Sequence, residues 1–375
     1  MDASDSFQDL INALMDLDHQ FPSKLLYQFS DLSPREQDTL ASCWRDVPLQ
    51  RRQTFLQDLV NLAENDPVLM YESVARIALG DEDTDVCVSA IDLLFDSEDR
   101  HLVPVYLRLL ADRTRSEAVR AAVANALGPY VSMGEVEKFN PEVLHEIEEA
   151  LLRAYYEDES DLVKRRALES LGYSSRAEVP GLLRNAEARQ DDLWLESAMF
   201  AMGRSADEQW ESSVLENLEH ENLAVRIQAV HAAGDLGLKK ARKNLLQAIG
   251  KVDDDDLRHE IIWALAQIGG EGVERKFDSL LASTEDEDEI AFLEEAMEML
   301  NFTEGSDDMG LISVPWGDTE VEEDEDNEDF EDDDEEYPLN EAFDDEEWQQ
   351  YVDDEDDEED DDEYSFGEYD DDRFS

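Results

Sequence analysis

The sequence contains little cysteine and no long apolar segment. Its two cysteines, Cys43 and Cys87, form no C-x-x-C motif among the 375 residues. A disulfide framework or a cysteine zinc site is therefore not expected, and a reducing compartment is the default. Because no run of about 18 apolar residues occurs, we expect no membrane-spanning helix. The chain starts with acidic residues rather than the basic ones of a secretory signal, which predicts a cytoplasmic protein.

Basic residues are scarce and acidic residues are concentrated at one end. The chain has 30 lysines and arginines against 100 aspartates and glutamates, a formal net charge of −70. Residues 303–375 hold 38 of the acidic residues and a single basic residue, Arg373. Binding nucleic-acid phosphate requires dense lysine and arginine, and anionic membranes repel acidic chains. We therefore expect neither as a partner, and predict a protein or peptide with a basic surface instead.

An internal repeat runs between residues 68 and 302. In its clearest copy, residues 119–128 read VRAAVANALG, and successive copies start 33, 44, 31, 31 and 32 residues apart. Apolar residues recur at offsets 0, 4, 7 and 8, which is one face of an α-helix. A period just above 30 residues predicts a solenoid of helix pairs. The other copies start at Val86, Val163, Trp194, Val225 and Leu257, and a degenerate copy covers residues 290–300.

Small residues in the motif predict close packing between neighbouring helices. Glycine at offset 9 leaves room for a neighbour, and it is also expected to end the helix in the left-handed conformation. The wider spacing of 44 residues predicts an insertion loop around residues 128–140. A partner helix is predicted between successive copies, over residues 103–110, 141–156, 180–188, 212–218, 240–249 and 272–281.

The V-R-x-x-A-A-x-A-L-G pattern resembles the HEAT repeat, in the short bacterial form found in phycobilisome-lyase-type proteins. The resemblance covers residues 68–302 and implies an all-α, right-handed α-α superhelix of six or seven helix pairs. Residues 1–67 show helical periodicity without the motif, and we interpret them as an N-terminal helical cap over the open end of the solenoid. Residues 303–375 are predicted to be a disordered acidic tail.

The predicted tail is acidic but also contains ten aromatic residues among its 73. Within it, we name residues 338–352 (PLNEAFDDEEWQQYV) the aromatic tail segment. The spacing of Phe343, Trp348 and Tyr351 predicts a short helix that becomes ordered on binding. A solubilising role and a binding role both stay open. In the binding role, charge speeds the encounter and aromatics anchor the complex. The target is either a basic partner or a basic patch on this protein's own solenoid.

Two sets of basic residues in the solenoid are candidates for interaction. Offset 1 of successive repeats carries a cation, and we interpret these cations as a structural ladder that pairs with polar residues at the turns, although a ligand-binding stripe is the alternative. The ladder cations are Arg120, Lys164, Arg226 and Arg258, with Glu117, Asp161, Asn222 and Asp256 as expected partners. The densest basic cluster is a candidate docking site for acidic groups and consists of Lys239, Lys240, Arg242 and Lys243.

The sequence offers no convincing catalytic or cofactor site. HEAT-type deoxyhypusine hydroxylases hold two irons with four equivalent His-Glu pairs, whereas this chain has three pairs that do not fall at equivalent repeat positions. They begin at His145, His220 and His259. We therefore expect no metal or cofactor. The leading hypothesis is a non-enzymatic scaffold or adaptor that binds its partner on the repeat surface, with the tail engaging or screening a basic partner. The alternatives are a bilin-lyase-type enzyme or enzyme subunit and an acidic chaperone or nucleic-acid mimic.

Overall fold

The computed structural model describes residues 3–66, 68–136, 140–189 and 191–308. Every regular element in these ranges is a helix, so the all-α prediction is confirmed. Within the same ranges, no helix combines the length and the apolar character needed to cross a membrane. The aromatic tail segment, with Phe343, Trp348 and Tyr351, lies outside the described residues.

The N-terminal region consists of four α-helices and two short 3-10 turns. Helix α3 (Pro34–Cys43) starts with a capping box, in which the Ser33 backbone N–H donates to Glu36 Oε2 at 3.0 Å. A buried aromatic cluster holds the region together, formed by Phe7, Phe21, Phe29, Trp44 and Phe55. The α-helices are α1 (Ala3–Met15), α2 (Ser23–Leu26), α3 (Pro34–Cys43) and α4 (Leu49–Asn65).

The rest of the described chain is a series of helix pairs in which a partner helix precedes a motif helix. One pair carries an additional helix, α9. In chain order the helices are α5 (Glu72–Leu79), α6 (Thr84–Leu93), α7 (Leu102–Ala111), α8 (Glu117–Ala126), α9 (Gly128–Glu135), α10 (Pro141–Glu157), α11 (Asp161–Leu171), α12 (Val179–Glu187), α13 (Asp192–Arg204), α14 (Glu211–Asn217), α15 (Leu223–Asp235), α16 (Arg242–Ala248), α17 (Asp255–Ile268), α18 (Val273–Leu281) and α19 (Glu287–Asp308).

The helices form two layers. The motif helices α6, α8, α11, α13, α15, α17 and α19 pack side by side in that order, and each partner helix packs on the motif helix that follows it. Helix α4 packs against α6 in the same way that one motif helix packs on the next. The buried side chains of all these helices form one continuous apolar core, because each repeat covers the apolar face of its neighbour.

The motif glycines act through close packing and not through helix termination. Gly172 has φ −54°, in the right-handed helical region, and Gly203 and Gly234 lie inside their helices. A Cβ built on Gly172 would lie 2.7 Å from the carbonyl oxygen of Ala201 in the next motif helix. A Cβ built on Gly203 would lie 2.9 Å from the Cα of Ala232. The prediction of a left-handed cap at this position is therefore wrong, because the neighbouring helix backbone occupies the space of a side chain.

The insertion predicted as a loop contains a helix, α9. Pro129 lies in its first turn, where a backbone N–H would have no intrahelical acceptor, and Tyr130 is fully buried. The hydroxyl of Tyr130 lies 2.9 Å from the carbonyl oxygen of Ser97 and donates a hydrogen bond. Because α9 has its own buried face, the extra residues extend the core instead of forming a loop on the surface. Helix α19 likewise extends to Asp308, beyond the predicted end of the solenoid at residue 302.

Candidate partner-binding site

Two of the four cations at offset 1, Arg120 and Arg258, connect neighbouring repeats, but they do not use the predicted partners. Arg120 of α8 pairs with Asp158, in the turn before α11, through Nε–Oδ2 and Nη2–Oδ1 contacts of 3.0 Å each. Arg258 of α17 pairs with Glu289 of α19. Glu117, the predicted partner of Arg120, instead accepts a hydrogen bond from Ser160 Oγ at 2.6 Å. The ladder therefore runs from one repeat to the turn or helix start of the next.

The other two ladder cations, Arg226 and Lys164, do not pair with an acid of the next repeat. Arg226 donates to the carbonyl oxygen of His220 at 2.6 Å, in the turn of its own repeat, and Lys164 is partly exposed. The expected partners lie two to four residues before their cations, whereas the acids that Arg120 and Arg258 contact belong to the following repeat.

The N-terminal ends of the motif helices lie along one edge of the solenoid. Side-chain hydrogen bonds join these ends between neighbours, from Thr84 to Ser116 at 3.0 Å and from Asn222 to Asp192 at 2.8 Å. Acidic residues occupy the first turns, where they interact favourably with the helix dipole. We name this the acidic edge, and its first-turn members are Asp85, Glu117, Asp161, Asp192, Asp255, Asp256, Glu287, Asp288 and Glu289.

A hollow opens on the acidic edge between α8, α11 and α13. Its apolar wall is formed by Leu162, Leu193 and Trp194, and Leu193 is 55% exposed. The Trp194 ring is held by the Arg189 guanidinium, 3.7 Å from the ring centroid, and by the edge of Tyr155. Carboxylates surround this apolar wall, from Glu117, Glu159, Asp161 and Asp191. The hollow thus combines these four carboxylates and one guanidinium, that of Arg165, with an apolar wall.

A second depression, here named the arginine groove, lies on the exposed face of motif helices α6, α8, α11 and α13. Its floor is made of alanines, and it shares Leu162 with the hollow. The residues that give it chemical character are Asp92, Phe95, Arg166, Phe200 and Arg204. The groove therefore presents two guanidinium groups and one carboxylate beside apolar surface.

The two arginines of the groove have different surroundings. Arg166 pairs with Glu169 at 2.5 Å. The Arg204 guanidinium lies 4.0 Å from the ring centroid of Phe200 and 4.7 Å from that of Tyr173, and its Nη1 donates to the Glu169 carbonyl oxygen at 3.2 Å. No ion pair of Arg204 occurs among the described residues. Burial lowers the pKa of Arg204, so its charge is only partly compensated by the protein.

His231 of α15 continues this face into the next repeats. Its Nδ1 lies 2.9 Å from Glu260 Oε1 and its Nε2 lies 3.3 Å from Asp235 Oδ2, while its ring packs 5.5 Å from Phe200. Burial disfavours the charged imidazole, but the hydrogen bond to Glu260 and the charge of Asp235 outweigh it and raise the pKa of His231. The imidazolium form is thus the one that this network stabilises.

The sequence did not single out the residues of the groove. Arg166, Phe200 and Arg204 fall at offsets 3, 6 and 10, which the motif leaves variable. Phe200 and Trp263 are both only partly buried. One feature of the sequence could have identified this face. At offset 6 of the motif, polar or aromatic residues recur in helices that are otherwise rich in small residues: Asn125, Glu169, Phe200, His231 and Trp263.

The basic cluster at residues 239–243 is largely engaged in local contacts. Lys240 pairs with Glu211, and Arg242 Nη1 donates to the carbonyl oxygen of Gly269 at 3.0 Å. Lys239 also has a partner, and Lys243 is exposed. Because three of the four cations have a partner, the cluster offers less free charge than the sequence suggests.

The three His-Glu pairs lie in different structural settings. His145 lies on the partner helix α10, His220 lies in a turn where its Nδ1 accepts from the Asn222 backbone at 3.1 Å, and the His259 ring packs 4.7 Å from Phe292. In the described part of the chain, no group of three or more His, Cys, Asp or Glu residues is arranged to hold a metal ion. Cys87 is fully buried, and burial raises the pKa of its thiol to about 11.

The fold and the repeat geometry define an α-solenoid built from stacked helix pairs with a continuous motif-helix layer. A HEAT-repeat family profile matches residues 179–266 and, overlapping them, residues 211–301. Residues 179–301 are therefore similar to HEAT repeats. No curated protein matches the chain.

Solved structures with a similar chain path include proteins of several kinds. The YibA protein of Escherichia coli is 17% identical, with 76% of this chain and 97% of that chain covered and a TM-score of 0.39. Human deoxyhypusine hydroxylase is 17% identical, with coverages of 80% and 98% and a TM-score of 0.32. Importin beta is 12% identical, with coverages of 79% and 57% and a TM-score of 0.33. At these similarities no residue role is transferred to this chain.

Proposed function

We propose that this protein is a non-enzymatic scaffold or adaptor that binds a protein or peptide with a basic surface along its acidic edge. The observation that supports this function best is the hollow between α8, α11 and α13. Glu159, Asp161 and Asp191 place carboxylates around the exposed side chain of Leu193. The acidic tail would attract and hold the same kind of partner, or screen it from other contacts.

The chemistry of the hollow suits a lysine or arginine side chain that is followed by an apolar residue. The negative charge of the edge accelerates the encounter with a basic partner. A guanidinium then pairs with the exposed carboxylates, while an apolar side chain contacts Leu193, whose exposed surface has no cover in the described chain. A solenoid edge also presents a long surface without a deep cavity, which favours an extended protein segment over a small molecule.

Binding of a fluorescein-labelled peptide of alternating arginine and leucine to the full chain tests this function. The double variant Glu159→Gln/Asp161→Asn removes two exposed carboxylates from the hollow. We expect it to weaken the tightest binding by about three- to tenfold in fluorescence anisotropy, because each exposed ion pair contributes up to about 1 kcal/mol.

A matched control separates the hollow from the overall charge. The double variant Glu274→Gln/Asp278→Asn makes the same change in net charge on the exposed side of partner helix α18. It should leave the affinity within twofold of the unmodified protein. If the two double variants bind the peptide equally well, the peptide is held by general negative charge, and the assignment to the hollow is wrong.

A further inference from the structure

Trp263 differs from the other tryptophans of the described chain in having no charged partner. The Trp44 indole N–H donates to Asp81 Oδ2 at 2.9 Å. Arginine guanidinium groups cover two further indole rings, 3.7 Å from the ring centroid of Trp194 and 5.3 Å from that of Trp210. Trp263 is partly exposed on α17, and within the described ranges no cation lies over its ring. Its π surface is thus open to a cation that a partner supplies.

A second aromatic ring extends this surface. Phe292 of the neighbouring helix α19 is also partly exposed, and its ring centroid lies 6.4 Å from that of Trp263, with the two ring planes inclined by only 30°. The Phe292 ring also packs 4.7 Å from the His259 ring. We name Trp263 and Phe292 the aromatic pair. Because neighbouring rings hold these two side chains, a planar group that binds to them loses less side-chain entropy than on a mobile surface.

Carboxylates border the aromatic pair on both helices. Asp256 and Glu260 precede the tryptophan by seven and three residues, which places them on its face of α17. Asp288 and Glu295 lie four residues before and three residues after the phenylalanine, on its face of α19. Helix α19 carries nine acidic residues and no lysine or arginine. The surroundings of the aromatic pair are therefore negatively charged, and a cation is the complementary ligand.

The cations of this region are already engaged, whereas the outer carboxylates are not. Arg258 of α17 pairs with Glu289 of α19, and the His231 ring uses Glu260 at 2.9 Å. The side chains of Asp256 and Glu295 are exposed, and neither forms an ion pair in the part of the chain that the structure describes. Two carboxylates beside the aromatic pair thus remain for an external cation.

We propose that the aromatic pair is a binding site for an arginine side chain of the basic partner. The planar guanidinium stacks on the indole ring of Trp263, and its N–H groups donate to the carboxylates of Asp256 and Glu295. Lysine fits less well, because its ammonium is a strongly hydrated point charge without a plane to stack. This inference rests on the proposed function for the kind of partner, but the aromatic pair shares no residue with the hollow.

Fluorine NMR of the full chain labelled with 5-fluorotryptophan observes both sites in one sample. The chain has six tryptophans, and the variants Trp263→Phe and Trp194→Phe identify the two resonances of interest. On titration with the unlabelled arginine–leucine peptide, we expect the Trp263 resonance to shift and the shift to saturate. The same peptide with lysine in place of arginine should bind at Trp263 about threefold more weakly or worse, because the stacking contact is lost.

A charge-matched pair of variants separates the aromatic pair from the general negative charge. Asp256→Asn/Glu295→Gln should weaken binding at Trp263 by about threefold or more, since it removes both carboxylates that the guanidinium would contact. Glu274→Gln/Asp278→Asn makes the same change in net charge on partner helix α18 and should leave this affinity within about twofold. The melting temperature of each variant shows whether it is folded. Equal responses to the two peptides, or equal weakening by the two double variants, would overturn the inference.

The Trp194 resonance reports on the hollow in the same titration, because Trp194 lines it. A shift of the Trp194 resonance with an unmoved Trp263 resonance would overturn the arginine site and leave the proposed function intact. A shift of the Trp263 resonance alone would support the arginine site and contradict the assignment of the partner to the hollow. If neither resonance moves at any peptide concentration, both proposals are wrong.

Discussion

Arg120 and Asp158 form a bidentate ion pair across two successive repeats, although 38 residues separate them. The Asp158 carboxyl is almost fully buried, and it also pairs with Arg113 and accepts from the Ser160 backbone N–H at 2.9 Å. Burial disfavours its charged form, but the hydrogen bonds from Arg120 and Ser160 outweigh this and lower the pKa of Asp158. The pair thus fixes the position of one repeat relative to the next.

Replacing Asp158 by asparagine should destabilise the protein by about 3 kcal/mol, because it leaves the buried Arg120 guanidinium without its counter-charge. Urea denaturation followed by circular dichroism measures this loss. The matched control is Asp161→Asn, an exposed carboxyl three residues later, which should change stability by less than about 0.5 kcal/mol. A loss below about 1 kcal/mol for Asp158→Asn would show that the pair does not hold the repeats together.

Gly203→Ala should destabilise the protein by about 1–3 kcal/mol, although alanine is normally the better helix former. The added methyl group would lie 2.9 Å from the Cα of Ala232, so two motif helices would have to move apart. Gly181→Ala is the control, since a Cβ there meets nothing within 4 Å in helix α12. Thermal melting should show Gly181→Ala to be neutral or stabilising. Equal effects of both substitutions would contradict the close-packing account.

The contribution of His231 to stability should depend on pH. A raised pKa in the folded state means that its stabilising effect is fully present below the unfolded-state pKa of about 6.5 and disappears as pH rises through the folded-state pKa. Substitution by glutamine should therefore lower the melting temperature more at pH 5.5 than at pH 9. The groups that face the imidazole are Arg204 of α13, Asp235 of α15 and Glu260 of α17.

The pH test includes a check on these acceptors. In a Glu260→Gln background the hydrogen-bond acceptor stays but its charge is removed, so the pH dependence of the His231 substitution should diminish. A His231→Gln effect that is the same at both pH values would mean that the imidazole does not carry charge in this network.

The sequence predicted the helical layers well because their signal is local. Apolar offsets within ten residues are enough to place a motif helix, and the glycine at offset 9 correctly indicated close packing. The ion-pair partners were not predictable in this way, since Asp158 and Glu289 belong to the following repeat and nothing near Arg120 or Arg258 in the sequence identifies them. The helix α9 was missed because its buried residues match no repeat position.

The groove was less predictable than the fold. Arg166 of α11 meets Phe200 and Arg204 of α13 only when these two neighbouring helices are stacked, and each position is variable within the motif. A charge count also misrepresented the cluster at residues 239–243, where ion pairing and backbone contacts engage Lys240 and Arg242. Composition indicates net charge, but which charges remain available for a partner is decided by contacts between helices.

Hydrogen–deuterium exchange of the full chain, with and without a saturating amount of the arginine–leucine peptide, tests most directly whether the acidic edge binds a basic partner. Backbone N–H groups in the first turn of a helix have no intrahelical acceptor and exchange quickly when they are exposed. If the peptide binds at the hollow, exchange should be slower at the first turns of α8, α11 and α13. Protection confined to other helices, or exchange that the peptide leaves unchanged throughout residues 1–308, would contradict it.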